Sequence, residues 1–157
     1  MAASTITDAA NTGQMDVQSI MSMIPHRFPF LLVDTVTGCN PGVEITGYKN
    51  VTRQDCAGTT NVDPTFPRLL VLESLAQLTV ILTFRSLGII PTGKELMFFA
   101  GIDSAHFLWD CRAGERLDLQ ARVIRMMPGK GIGKFHTTAS VGGKTVADAR
   151  MMAAMRF

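Results

Sequence analysis

The chain has 157 residues, room for one domain with a sizeable core, and 46% of them are apolar against 18% charged. That balance excludes a disordered polymer, which could not bury enough surface to offset its ordering entropy. Fifteen Lys and Arg against 13 Asp and Glu leave a formal charge of +2, too small to mark a nucleic-acid binder.

Residues 1–15 are mostly small and polar, with no basic cluster and no apolar block, so they read as a flexible tail and not a signal peptide. A single folded domain is expected over 16–157. Asp16 is placed to N-cap a helix in which Val17, Ile20, Met21, Met23 and Ile24 recur at helical spacing, and Pro25 stops it. Phe30 to Val36 is a short run of β-formers ended by Gly38, Asn40, Pro41 and Gly42, with Glu44 to Val51 as its hairpin partner. Residues 52–68, rich in Thr, Asp, Asn, Gly and Pro, read as a long loop.

Leu69 to Leu87, bounded by Pro67 and Gly88, is apolar almost all round, which predicts a helix buried on most sides. Glu73 and Gln77 interrupt it, so no apolar run reaches the ~18 residues expected of a membrane span. Sheet follows. Leu96 to Ile102 is one strand. Leu117, Leu119, Ala121 and Val123 alternate with polar residues in the next, and Pro128 to Gly133 makes a loose turn. Phe135, Thr137, Ala139 and Val141 share one face of a further strand, and Gly142-Gly143 turns the chain into Val146 to Phe157. The pattern predicts an α+β domain in which five or six antiparallel strands wrap one long helix.

Glu73 lies one turn into the apolar helix, four residues before Gln77 and on the same face. A carboxylate there could sit at a solvated edge or pair with an arginine. Its neighbours Leu69, Leu70, Val71, Leu72, Leu75 and Ala76 leave little polar surface for such an edge. Burial would raise its pKa and suit it to act as a general acid. His26 sits in a turn and suits a structural hydrogen bond, His106 reads as a loop residue, and His136 reads as exposed on its strand. No histidine pair has metal-ligand spacing, and Cys39, Cys56 and Cys111 are odd in number and far apart. Neither metal, cofactor nor disulfide framework is implied, and a reduced, cytoplasmic setting is expected. Met97, Met126, Met127, Met151, Met152 and Met155 suit a core or a flexible apolar tunnel.

Residues 24–34, IPHRFPFLLVD, and 48–52, YKNVT, resemble the opening of the FabZ-type 3-hydroxyacyl-[acyl-carrier-protein] dehydratases. Residues 70–77, LVLESLAQ, and 98–103, FFAGID, extend the resemblance, in order, from about Val17 to Phe157. The resemblance implies a hotdog fold, a curled antiparallel sheet around one central helix, and active sites shared between two protomers. It also implies an acyl carrier protein with its acyl chain as partner; the charge and the apolar runs already point to no nucleic acid and no membrane. Glu73 takes the place of the catalytic acid. Gly58, Arg68, Leu69, Gln77 and Phe99 fall where substrate contacts are expected.

One departure stands out. The family carries Phe-Phe-x-Gly-His-Phe-Pro before the helix, and its histidine is the base. Counted back from Glu73, that place is Thr59, after Gly58, and the family's helix-opening glycine is Arg68. A threonine has no proton-accepting group near neutral pH, and losing a general base costs ~10²- to 10⁴-fold. Two readings follow. The chain is a subunit of a heteromeric dehydratase whose partner supplies the histidine, or a homo-oligomeric enzyme of altered acid/base chemistry, an isomerase or cyclase. Arg112, Arg116, Arg122, Arg125, Lys130 and Lys134 are candidates for docking an acidic carrier.

Overall fold

The computed structural model describes residues 13–56 and 62–156. In chain order the elements are α1 (Val17–Met23), β1 (Thr35–Asn40), β2 (Glu44–Asn50), a 3-10 turn (Gln54–Cys56) and α2 (Arg68–Leu87). β3 (Leu96–Phe107), β4 (Arg116–Met127), a 3-10 turn (Pro128–Lys130), β5 (Ile132–Val141) and β6 (Lys144–Arg156) complete the chain. The strands form one antiparallel sheet of six in the order β1-β2-β4-β5-β6-β3. Five of them, β2 to β6, touch α2, so the sheet curls around the helix as the hotdog expectation requires.

Alternation builds the inner face. Leu117, Leu119 and Ala121 of β4 and Phe135, Thr137 and Ala139 of β5 are all buried, each separated by a residue facing the other way. Against them lie Leu75, Leu78, Ile81 and Leu82 of α2, which have no exposed surface. Each such side chain stabilises the fold by about 1.5–3 kcal/mol through removal from water. The hydroxyls α2 carries inward do not go unpaired: Ser74, Thr79 and Thr83 each donate to a carbonyl of the preceding turn. Gly88 ends the helix at φ 65°, its N–H turned back to Arg85 and Phe84 carbonyls, where any side chain would be strained. By length and hydropathy α2 would pass for a membrane span, contrary to the expectation that Glu73 and Gln77 disqualify it. Here it is the core helix, buried by the sheet.

Several boundaries differ from those the sequence suggests. Phe30 to Val36 is not one strand, because Leu32 N–H is taken by the Gln77 side chain and pairing with β2 begins only around Asp34, whose N–H meets Tyr48 O. β3 runs on to Phe107 through register shifts around residues 100 and 103, which brings His106 into the strand opposite Asp148 rather than into a loop. Of the expected tail, residues 13–15 are described: Met15 exchanges both backbone hydrogen bonds with Val36 of β1.

Candidate active site

The site is assembled around α2, whose residues 73, 76, 77, 80 and 84 lie in one stripe at helical spacing. The stripe faces an open-sided cavity of about 810 Å³. Glu73, Gln77, Val80 and Phe84 of α2 line one wall, Met97, Phe98 and Phe99 of β3 contribute a second, and Thr92 and Glu95 add polar surface. A third wall is the segment from Met21 to Arg27. Apolar side chains of α2 and β3 beside Glu73 and Gln77 suit an amphipathic ligand with a chain.

Gln77 is 1% exposed and its amide is fully committed. Its Oε1 accepts the N–H of Leu32 at 2.9 Å, and its Nε2 donates to Phe30 O at 2.8 Å and to Glu73 Oε1 at 2.9 Å. The backbone N–H of Leu32 needs an acceptor, which settles the amide orientation: nitrogen faces Glu73. His26 approaches as well, its Nε2 3.3 Å from the same Glu73 oxygen. The turn carrying His26 is itself fastened. Asp16 caps α1 through Ser19 N–H, and the Arg27 guanidinium donates to the carbonyls of Met21, Ile24 and His26 at 3.0, 2.9 and 2.7 Å. Sequence reasoning gave His26 a structural bond only; no periodicity could show that the turn after α1 returns to α2.

Burial is the largest single influence on Glu73 and pushes its pKa up, as expected from its apolar neighbours. Hydrogen bonding from His26 and Gln77 outweighs it. The net shift is downward, which corrects the sequence expectation. The two donors, His26 and Gln77, are the physical reason.

The remaining expected site residues separate. Phe99 lines the cavity and is 45% exposed. Arg68 does not line it: the guanidinium reaches Asp110 at 2.9 Å and lies over the Phe107 ring. Leu69 is 75% exposed and also outside the cavity. Gly58 and Thr59 lie outside the described residues. Among the six cations proposed for docking, Arg112, Arg116, Arg122 and Lys134 each pair with a carboxylate, Asp63, Asp118, Glu44 and Asp103 respectively. Arg125 and Lys130 make no ion pair among the described residues. His136 is not simply exposed; its Nε2 is 2.6 Å from Asp148 Oδ2.

Comparison with known proteins agrees with this fold. Residues 24–150 match the FabA-like domain. The chain is 39% identical to the 3-hydroxyacyl-[acyl-carrier-protein] dehydratase FabZ of Variovorax paradoxus, over 92% of this chain and 97% of that one. It is 40% identical to FabZ of Thiobacillus denitrificans, over 90% and 98%. Among solved structures, the dehydratase heterocomplex ApeI:P of Xenorhabdus doucetiae shares the fold, with a TM-score of 0.74 over 88% of this chain and 91% of that one at 16% identity.

Proposed function

The chain belongs to the FabZ-type 3-hydroxyacyl-[acyl-carrier-protein] dehydratase family, and on that premise we propose that it is the glutamate-bearing subunit of a heteromeric dehydratase. Its substrate is a 3-hydroxyacyl chain carried on acyl carrier protein in fatty-acid or polyketide synthesis, and its setting is the cytoplasm. One observation carries the reading. Gln77 and His26 hold Glu73 on the wall of the cavity, while the family's base position, by count, is Thr59.

The chemistry follows from the parts. The partner's histidine removes the α-proton, and the Cα–H electron pair forms the double bond. Glu73 gives its proton to the 3-hydroxyl as the carbon–oxygen bond breaks and water leaves. Glu73 is held toward its ionised form in the open cavity, so it must gain that proton first. Burial already pushes the carboxyl up, and that push grows when a partner and an acyl chain cover the cavity and expel water.

Purifying the chain alone and with a histidine-bearing dehydratase of the same fold, then assaying carrier-bound 3-hydroxyacyl turnover, tests the reading. Alone it is expected to be inactive. The mixture is expected to turn over, and Glu73→Gln in this chain to abolish that. Mixed-complex turnover indifferent to Glu73→Gln would overturn it.

A second reading rests on Glu73 as the carboxylate that Gln77 and His26 hold at the cavity, with no histidine at the base position by count. A carboxylate ionised at rest can take the α-proton itself and return it elsewhere, which makes Glu73 the sole acid/base of a homo-oligomeric isomerase or cyclase. Conversion by the chain alone, lost in Glu73→Gln, would favour this reading.

A further inference from the structure

Both partners of Glu73 converge on one oxygen. Gln77 Nε2 and His26 Nε2 lie 2.9 and 3.3 Å from Oε1, and Oε2 has no partner among the described residues. His26 adds a second peculiarity: its Nδ1 is buried and has no hydrogen-bond partner. A hydrogen on Nδ1 would be a buried donor without an acceptor, so the ring holds its hydrogen at Nε2, aimed at the carboxylate. Sealed at Nδ1, the imidazole cannot relay a proton through its far side to water. It can only hold.

We propose that His26 is a positioning residue which, with Gln77, clamps Oε1 of Glu73 and thereby assigns Oε2 as the oxygen that exchanges a proton with substrate. The assignment rests on the dehydratase reading for the identity of that substrate, but its geometry stands apart from it. The clamp is compatible with both states of the carboxyl. Ionised, Oε1 accepts from both donors. Protonated on Oε2, Oε1 remains a carbonyl oxygen and still accepts from both. Oε2 can then pass its proton to the 3-hydroxyl oxygen as the carbon–oxygen pair departs with water, without either clamp bond breaking. The 3.3 Å separation from His26 leaves room to tighten when substrate arrives.

The charged groups facing Glu73 are few. Arg27, beside His26, has its guanidinium on backbone carbonyls, and Glu95, before β3, accepts from Thr92. The residues that β3 and β6 place on the cavity, Met97, Phe98, Phe99 and Ala153, are uncharged. His26 is therefore the group whose removal should be felt most at Glu73.

His26→Phe keeps the ring volume and loses no partner at Nδ1, and His26→Gln retains an N–H donor. The test has two arms. In the first, the Glu73 carboxyl is titrated by carbon-13 resonance in the chain alone, with Glu73→Gln as assignment control. His26→Phe is expected to move the titration to higher pH and His26→Gln to stay nearer the parent. In the second, turnover is measured in the mixed complex. His26→Phe is expected to lower kcat by about 10²-fold with KM little changed, and its pH profile to shift with the titration. His26→Gln is expected to recover most of the loss. An unmoved titration in His26→Phe, or equal losses in both variants, would overturn the proposal while leaving the dehydratase reading standing. If no partner gives turnover with the parent chain, the dehydratase reading fails, and the titration arm alone decides the role of His26.

Discussion

Gln77 Nε2 donates to Glu73 Oε1 across 2.9 Å, and the same side chain ties residues 30–32 to the middle of α2. A helical residue and its neighbour one turn on thus join two tasks, orienting the Glu73 carboxylate and closing the connector before β1. Gln77→Leu should expose both at once. Leu32 N–H and Phe30 O lose their partners, at about 1–3 kcal/mol for each group left buried. Urea unfolding at neutral pH is expected to show a lower midpoint with an unchanged slope, and the Glu73 titration to rise. A midpoint equal to the parent's would mean that water satisfies these groups.

The second structural pin lies at the end of β2. Lys49, 6% exposed, stands between Asp34 at 3.7 Å and Asp55 at 3.3 Å. Burial, the largest influence on Asp55, pushes its pKa up, but two hydrogen bonds from Thr52 and the Lys49 charge bring the balance below the usual value. A depressed folded pKa contributes stability above the unfolded value and loses it as pH falls through the folded one. Asp55→Asn should therefore be less stable than the parent at pH 7, by about 1–3 kcal/mol, with the gap closing below about pH 4. A constant gap from pH 7 to pH 3 would rule the ion pair out as the cause.

β3 is an edge strand on which Phe98, Phe99 and Ile102 are each nearly half exposed. An open, apolar edge invites pairing with a second protomer. Light scattering at micromolar concentration is expected to give at least a dimer, homomeric or with a related chain, and Ile102→Lys to weaken it. A parent chain that remains monomeric alone and when mixed with a histidine-bearing dehydratase of the same fold would contradict this.

The element types were legible because each rests on local periodicity: two in β4 and β5, near 3.6 in α2. The order of the strands was not, since the pairing of β3 with β6 joins residues some fifty apart and leaves no short-range pattern. The site divided in the same way. Glu73 and Gln77 share a helix face and could be paired from spacing alone. His26 reaches them only through the turn that Arg27 fastens, and Arg68 is drawn off to Asp110 by a loop whose path no motif reveals.

Carrier docking should depend on the cations left uncompensated. Arg112, Arg116, Arg122 and Lys134 already face carboxylates, so each contributes little net field. Arg125 and Lys130, both exposed near the β4–β5 turn, are the better candidates. Arg125→Glu with Lys130→Glu is expected to weaken carrier binding and flatten its dependence on salt. Binding by the parent that is indifferent to salt between low and physiological strength would remove electrostatics from the account.

The sharpest test returns to Thr59. If the missing base is the main defect, Thr59→His should restore some dehydration to the chain acting without a histidine-bearing partner, because Glu73 and its clamp are already present. Because Arg68 stands where the family has its helix-opening glycine, Arg68→Gly would be the change to add if the helix start needed clearing. The Arg68–Asp110 pair now argues against that need, since the guanidinium is held outside the cavity. Arg68→Gly should instead cost up to about 1 kcal/mol in the first turn of α2 and improve turnover little. The expected order is therefore parent inactive, Thr59→His weakly active, and the double variant no better. A gain from Arg68→Gly would mean that the arginine swings over the helix start when substrate or partner binds. No turnover from Thr59→His, in a folded protein of unchanged mass, would mean that the segment before α2 does not follow the family's path, because catalytic geometry tolerates only about 0.5 Å of displacement.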